Sequence, residues 1–151
     1  MEKNIVIFDK DGTIANVDHR KHFLEGPEVT DEDWEKFNFA AVDDIPNEDV
    51  LTILDQLYLA DFKIFIWTGA SYIAKDVVLK WLEENVMEYH ELKMRPISDH
   101  SPDTELKEKW LMELGPENVF AVFEDRDDQV EMFRSHGVRV YQVDDNPSFA
   151  Q

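Results

Sequence analysis

The stretch Ile5-Val6-Ile7-Phe8-Asp9-Lys10-Asp11-Gly12-Thr13 ends an apolar run on two carboxylates with one lysine between them. Acids that close repel, and burial makes their charge costly unless cations lie among them. Further polar residues recur at comparable points. Thr68 and Gly69 follow a second apolar run, Lys107 sits in a helix-like stretch, and Glu124-Asp125-Arg126-Asp127-Asp128 follow a third run. Brought together, these supply at least four carboxylates, a hydroxyl and an ammonium. Such hard oxygen donors suit Mg²⁺, which takes a few carboxylates and keeps the oxygens of water or phosphate. A divalent cation, helped by Lys107, would let Asp9 and Asp11 stay ionised side by side.

The chemistry that fits is phosphoryl transfer to a carboxylate. Asp9 would attack phosphorus in line and form an aspartyl-phosphate. Asp11 would protonate the departing alcohol and then deprotonate the water that hydrolyses the intermediate. Thr68 and backbone N–H groups would orient the phosphoryl oxygens, while Lys107 and Mg²⁺ offset their charge. Gly12 would let the backbone pass close to the phosphate. A calcium loop also opens Asp-x-Asp, but it needs glycine at its sixth position and a distal glutamate. Here the glycine is the fourth residue counted from Asp9.

For these groups to meet, the apolar runs must be neighbouring strands. Ile5–Phe8, Phe62–Trp67, Val119–Phe123 and Val138–Val143 are short, bounded and rich in β-branched and aromatic residues, as strands buried on both faces are. Between them lie helical stripes: Val50, Ile53, Leu54 and Leu57 within Asp49–Leu59; Val77, Val78, Trp81 and Leu82 within Ile73–Leu82; Leu106, Trp110, Leu111 and Leu114; and Val130 with Phe133. Ser101-Pro102 reads as an N-cap with proline at the first helical position, and Gly137 as the left-handed residue closing a helix. The alternation predicts one α/β domain over residues 1–151, a three-layer Rossmann-like parallel sheet with helices on both faces. Ligands then sit at the carboxyl ends of the strands.

Residues 16–47 do not fit the alternation. They are charged and aromatic, with Pro27 and Pro46 as breakers, and Thr30 to Asp33 reads as a capping box opening a short helix Asp31–Phe39. The expectation is a small cap inserted after the first strand and partly covering the site. The tail after Asp144 is expected to be loosely ordered.

Composition narrows the partners. With 15 basic and 34 acidic residues the net charge is −19, which repels long polyanions. That leaves a phosphorylated small molecule, or a nucleic-acid end held locally. The absence of cysteine excludes disulfides, thiolate metal sites and a cysteine nucleophile. No run of about 18 apolar residues occurs to span a membrane, and no basic-then-apolar leader opens the chain. A cytoplasmic location is expected.

These motifs resemble the haloacid dehalogenase (HAD) phosphohydrolase superfamily, with Phe8-Asp9-Lys10-Asp11-Gly12-Thr13, Ile66-Trp67-Thr68-Gly69, Lys107 and Phe123-Glu124-Asp125-Arg126-Asp127-Asp128 as its successive motifs. The stretches 92–111 and 122–143 are similar to the 3′-phosphatase domain of phage-type polynucleotide kinase/phosphatase enzymes. The resemblance implies Asp9 as nucleophile, Asp11 as general acid/base, and Thr68 and Lys107 as phosphate-binding residues. It further implies Mg²⁺ on Asp9, the Asp11 backbone carbonyl, Glu124 and Asp125, with Gly12, Gly69, Arg95 and Arg126 on the substrate side. Two departures stand out: Ala70 occupies the place of a usual arginine, and His100-Ser101-Pro102-Asp103 lacks a second one. No G-x-x-x-x-G-K-[S/T] loop occurs, so a kinase activity is not expected.

The implied activity is a Mg²⁺-dependent phosphomonoesterase acting on a polynucleotide 3′-phosphate end, with a nucleoside monophosphatase as the alternative. A receiver-like module uses similar groups, but its phosphoacceptor lies at a middle strand end, where this chain offers Thr68. A non-catalytic phosphate binder is a third possibility, favoured by Ala70.

Overall fold

The computed structural model describes residues 3–146. Along the chain run β1 (Ile5–Asp9), β2 (Ala15–Asn16), α1 (Asp31–Phe39), β3 (Ile45–Pro46), α2 (Glu48–Leu59), β4 (Lys63–Ser71), α3 (Lys75–Asn85), β5 (Glu91–Arg95), α4 (Asp103–Leu114), β6 (Val119–Arg126), α5 (Asp127–Ser135) and β7 (Val140–Asn146). The main sheet is five-stranded and parallel, in the order β5-β4-β1-β6-β7. The chain leaves β1 toward β4 and leaves β6 toward β7, so the two connections diverge between β1 and β6. A crevice at the carboxyl ends of the strands opens at such a switch point.

Alternating side chains divide the core into two layers. Val6, Phe8, Ile64 and Ile66 pack with Leu54 of α2 and with Val78, Trp81 and Leu82 of α3. Ile5, Ile7, Phe65 and Trp67 pack with Leu106, Trp110 and Leu111 of α4 and with Val130 and Phe133 of α5. Phe8 stacks on Phe123 across the β1–β6 pair, with ring centroids 4.7 Å apart. This is the three-layer α/β fold that the strand–helix alternation predicts. Among the described residues, no helix is long and apolar enough to cross a membrane.

Boundaries differ from the sequence reading in ways that matter at the site. β4 runs on through Ser71 and β6 through Arg126, so Thr68, Gly69, Glu124 and Asp125 lie within strand ends rather than after them. Both extensions follow a register shift, after which the backbone pairs again with the neighbouring edge strand. β5 went unrecognised because Glu-Leu-Lys-Met-Arg is polar and only Met94 of it is buried; an edge strand needs no apolar run. The helix after Ser101-Pro102 starts one residue later than predicted, with Pro102 itself at the N-cap in extended conformation. Ile73 falls in a 3-10 turn before α3. On α2, Ile53 is 44% exposed while Leu51 is buried, so the core stripe is rotated from the predicted one.

Other local signals hold. Gly137 has φ 78° and closes α5, and Thr30 and Asp33 form the reciprocal capping box of α1. β7 begins at Val140, with the buried Val138 just before it, and includes residues 144–146; the remainder of the tail lies outside the described residues. The ends of the 16–47 stretch are tied together by the antiparallel β2–β3 pair and by Asn47, whose amide nitrogen donates to the Thr13 carbonyl at 2.8 Å.

Leu54 is fully buried and remote from the strand ends. Leu54→Ala is expected to cost about 2–5 kcal/mol, read as a lower urea midpoint with an unchanged m-value.

Candidate active site

The alternation that sends Ile5 and Ile7 toward α4 sends Asp9 the same way. There Lys107 of α4 reaches it, with Nζ 2.6 Å from Asp9 Oδ1 and 3.0 Å from Glu124 Oε1. Thr13 donates to Asp9 Oδ2 at 3.0 Å, and its hydroxyl also lies 3.3 Å from Asp125 Oδ1. Glu124 Oε2 accepts from the backbone N–H of Asp125 at 3.0 Å, which orients the carboxylate against its own strand. Asp9, Glu124 and Asp125 are all buried, and each offers an oxygen within 4.8 Å of the others.

One ammonium is thus shared by two carboxylates in a low-dielectric pocket, with a third, Asp125, alongside. Burial pushes Asp9 up to about 7, reinforced by the charge on Glu124 and only partly opposed by Lys107. Burial likewise lifts Glu124 to about 7 against the pull of Lys107, with Asp125 adding to the rise. For Lys107, burial disfavours the charge, but Asp9 and then Glu124 overcome it and hold the ammonium charged. The donor set and its excess negative charge fit a divalent hard cation.

Asp11 belongs to a different system. The resemblance gives its backbone carbonyl, not its carboxylate, to the metal; the carboxylate accepts from Arg20 Nη2 at 2.8 Å and lies 3.4 Å from Lys10 Nζ. Burial raises its pKa, but Arg20 and then Lys10 outweigh that and bring it to about 2. Arg20 is fully buried. It makes a two-pronged contact with Asp44 (2.8 and 2.7 Å), donates to the Phe37 carbonyl at 3.1 Å, and lies 4.3 Å over the Phe37 ring. Lys10, of opposite parity to Asp9, points toward α3 and lies 4.8 Å from the Trp81 ring. Each acid of the pair therefore has its own cation, Lys107 for Asp9 and Arg20 for Asp11.

A third group lines the far side. Arg95 donates to the Gly69 carbonyl at 2.8 Å and pairs with Asp103; Arg126 reaches the other Asp103 oxygen at 3.0 Å. Two close approaches require glycine. A Cβ on Gly12, already at φ 85°, would overlap the Asp125 carboxylate, and one on Gly69 would overlap Asp103. Asp9, Asp11, Thr68, Gly69, Arg95 and Arg126 all border one cleft of about 510 Å³, and Lys107, Glu124 and Asp125 are buried behind Asp9. Asp31, Trp34, Glu35 and Asn38 of α1 border the same cleft.

Sequence reasoning missed Thr13, Arg20, Asp44 and Asp103. Thr13 was in plain view, four residues after Asp9 and inside the motif. Arg20 and Asp44 lie in the stretch with no periodic pattern, and Asp103 looks like any first-turn acid.

Solved structures share this fold. One of a Pnkp1/Rnl/Hen1 complex superposes with TM-score 0.78 at 22% identity, over 97% of this chain and 47% of the other. The chain thus spans about half the length of that relative. CbbY from Rhodobacter sphaeroides, in complex with phosphate, gives TM-score 0.64 at 15% identity over 97% and 87%. A HAD hydrolase from Entamoeba histolytica gives 0.60 at 15% over 91% and 82%. No curated protein matches. The fold is that of the HAD hydrolases, phosphatases among them. More narrowly, the family model described as the polynucleotide kinase PNKP phosphatase domain matches residues 3–148, and the chain belongs to that family.

Two outcomes follow. Arg20→Ala leaves the buried Asp44 and Asp11 without their guanidinium and is expected to cost about 3–5 kcal/mol, measured by urea denaturation, with Arg20→Lys recovering only part. The second concerns pH in chelator-treated protein. Asp9 and Glu124 titrate near 7 when folded but near 4 when unfolded. Between those values the folded state binds more protons, so their contribution to stability falls as pH rises. Asp11 has the opposite sign, its contribution full above about pH 4 and lost as pH drops toward 2. The melting temperature should therefore decline from about pH 5 to pH 7; a steady increase across that range would contradict the assignment.

Proposed function

We propose that the chain is a Mg²⁺-dependent phosphomonoesterase working through an aspartyl-phosphate on Asp9, with a polynucleotide 3′-phosphate end as its substrate. The observation that carries the reading is the single Lys107 ammonium shared by Asp9 and Glu124, with Asp125 alongside. An Asp9 oxygen attacks phosphorus as the bond from phosphorus to the leaving oxygen breaks. Water then attacks the same phosphorus and returns the Asp9 carboxylate. Asp11 supplies the proton to the leaving oxygen and takes one from the water. Lys107 holds the Asp9 carboxylate in place, while the Thr68 hydroxyl, the Gly12 and Gly69 turns, Arg95 and Arg126 form the phosphate side of the cleft. Asp9, Glu124, Asp125 and the Asp11 carbonyl would hold Mg²⁺, which would supply positive charge to offset the phosphoryl oxygens.

Residues 16–47 are the proposed cap. Arg20 favours the ionised form of Asp11, so proton donation requires that pair to part. Arg20 lies on this segment, which ties movement of the cap to the proton on Asp11.

Family membership supports the nucleic-acid end as substrate. The net charge of −19 favours a second reading, a nucleoside monophosphate. Asp9→Asn is expected to remove at least about 10³ of the turnover of p-nitrophenyl phosphate in Mg²⁺, while its melting temperature at pH 7 rises or stays level. Retained turnover would refute the nucleophile. Mg²⁺ should stabilise the wild-type protein more at pH 7 than at pH 5, because at the lower pH protons compete for Asp9 and Glu124. A Mg²⁺ shift in melting temperature equal at both pH values would count against the triad as its site.

A further inference from the structure

The inner face of α1 is unlike the rest of the cleft. Asp31, Trp34, Glu35 and Asn38 follow the i, i+3, i+4, i+7 spacing that places them on one helix face, and all four border the cleft that contains Asp9. Trp34 is half-buried and packs edge-on against the buried Phe37, with centroids 5.8 Å apart and planes at 82°. The same cleft is also bordered by Ile73 and Ile97, which are 48% and 59% exposed although both are large and apolar. A flat apolar group entering the cleft at this face meets an indole already held by Phe37.

Charge is distributed just as unevenly. The end that holds Asp9 has Lys107 buried behind that acid and Arg95 and Arg126 at its side, the two guanidiniums already paired with Asp103. On α1, Asp31 and Glu35 are like charges four residues apart, an arrangement that weakens a helix. Neither forms an ion pair among the described residues. The nearby Lys36 is spent on Glu32 at 3.3 Å. The cleft thus has its cations at one end, paired with acids there, and presents two carboxylates without an ion pair beside Trp34.

Resting on the second reading above, a nucleoside monophosphate as substrate, we infer that Trp34 is a stacking subsite for the base of the phosphorylated nucleoside, and that Asp31 and Glu35 turn away the phosphodiester that a polynucleotide would add. Any base offers a π-face, so the subsite recognises a nucleoside without reading which one. The site is thus limited to the terminal nucleotide, and upstream phosphates lower affinity instead of raising it. Binding that gains from cation–phosphate contacts weakens with salt; here the sign reverses, because salt screens the repulsion.

The test compares kcat/KM for a nucleoside 3′-monophosphate, a 3′-phosphorylated oligonucleotide and glycerol phosphate, using the intact protein in Mg²⁺. Trp34→Ala should lower the ratio of nucleotide to glycerol phosphate about tenfold or more, through KM and not kcat, and Trp34→Phe should restore most of it. Wild-type activity on the oligonucleotide should rise with added salt, and Asp31→Asn with Glu35→Gln should remove that rise and increase the oligonucleotide-to-mononucleotide ratio. An unchanged ratio in Trp34→Ala, or oligonucleotide activity that falls with salt, overturns the inference and leaves the nucleotide phosphatase standing. Hydrolysis of glycerol phosphate with neither nucleotide substrate accepted overturns the underlying reading as well.

Discussion

Lys107 is the cation that Asp9 and Glu124 share, and much of the site is arranged around its insufficiency. Its ammonium touches Asp9 and Glu124, while Asp125 adds a third carboxylate to the same pocket. Burial raises both Asp9 and Glu124 to about 7, and the one ammonium they share offsets that only in part. A pocket built this way is costly to the fold by itself and gains from any hard cation that enters.

Three parts of the architecture maintain this arrangement. The parity of β1 aims Asp9 at α4, the first turns of α4 carry Lys107 beneath the sheet edge, and the end of β6 presents Glu124 with its own backbone N–H groups as partners. Gly12 then allows the chain to turn back over Asp125 where any side chain would collide. Strand pairing between β1 and β6, reinforced by the Phe8–Phe123 stack, sets the separation of the acids.

The second acid of the motif is kept apart from this electrostatic problem. Arg20 reaches Asp11 from outside the sheet and is itself locked by Asp44 and by the Phe37 ring and carbonyl. Asp44 is in turn held through its carbonyl by Trp81 of α3. The 16–47 segment is thus joined to the core through a buried ion cluster, and the helix that carries Trp34 is joined to it through Phe37. A continuous set of contacts runs from the aromatic wall of the cleft to the carboxylate of Asp11.

The strands at the heart of the sheet could be read directly from their apolar runs, and the acids, threonine and glycines at their ends from the residues that followed. So could the capping box of α1 and the glycine closing α5, since each depends on neighbours within a few residues. β5 could not, because an edge strand leaves no apolar signature. Lys107 could be read as a cation of the site, but Arg20, the partner of Asp11 nine positions on, could not. Spacing shows that two acids need cations without showing which cations reach them. The sequence by itself determined the fold class and the acidic strand ends, because these follow from local pattern. Only the tertiary structure decided that the acids are divided between Lys107 and Arg20, because packing of distant elements selects the charge that each carboxylate meets.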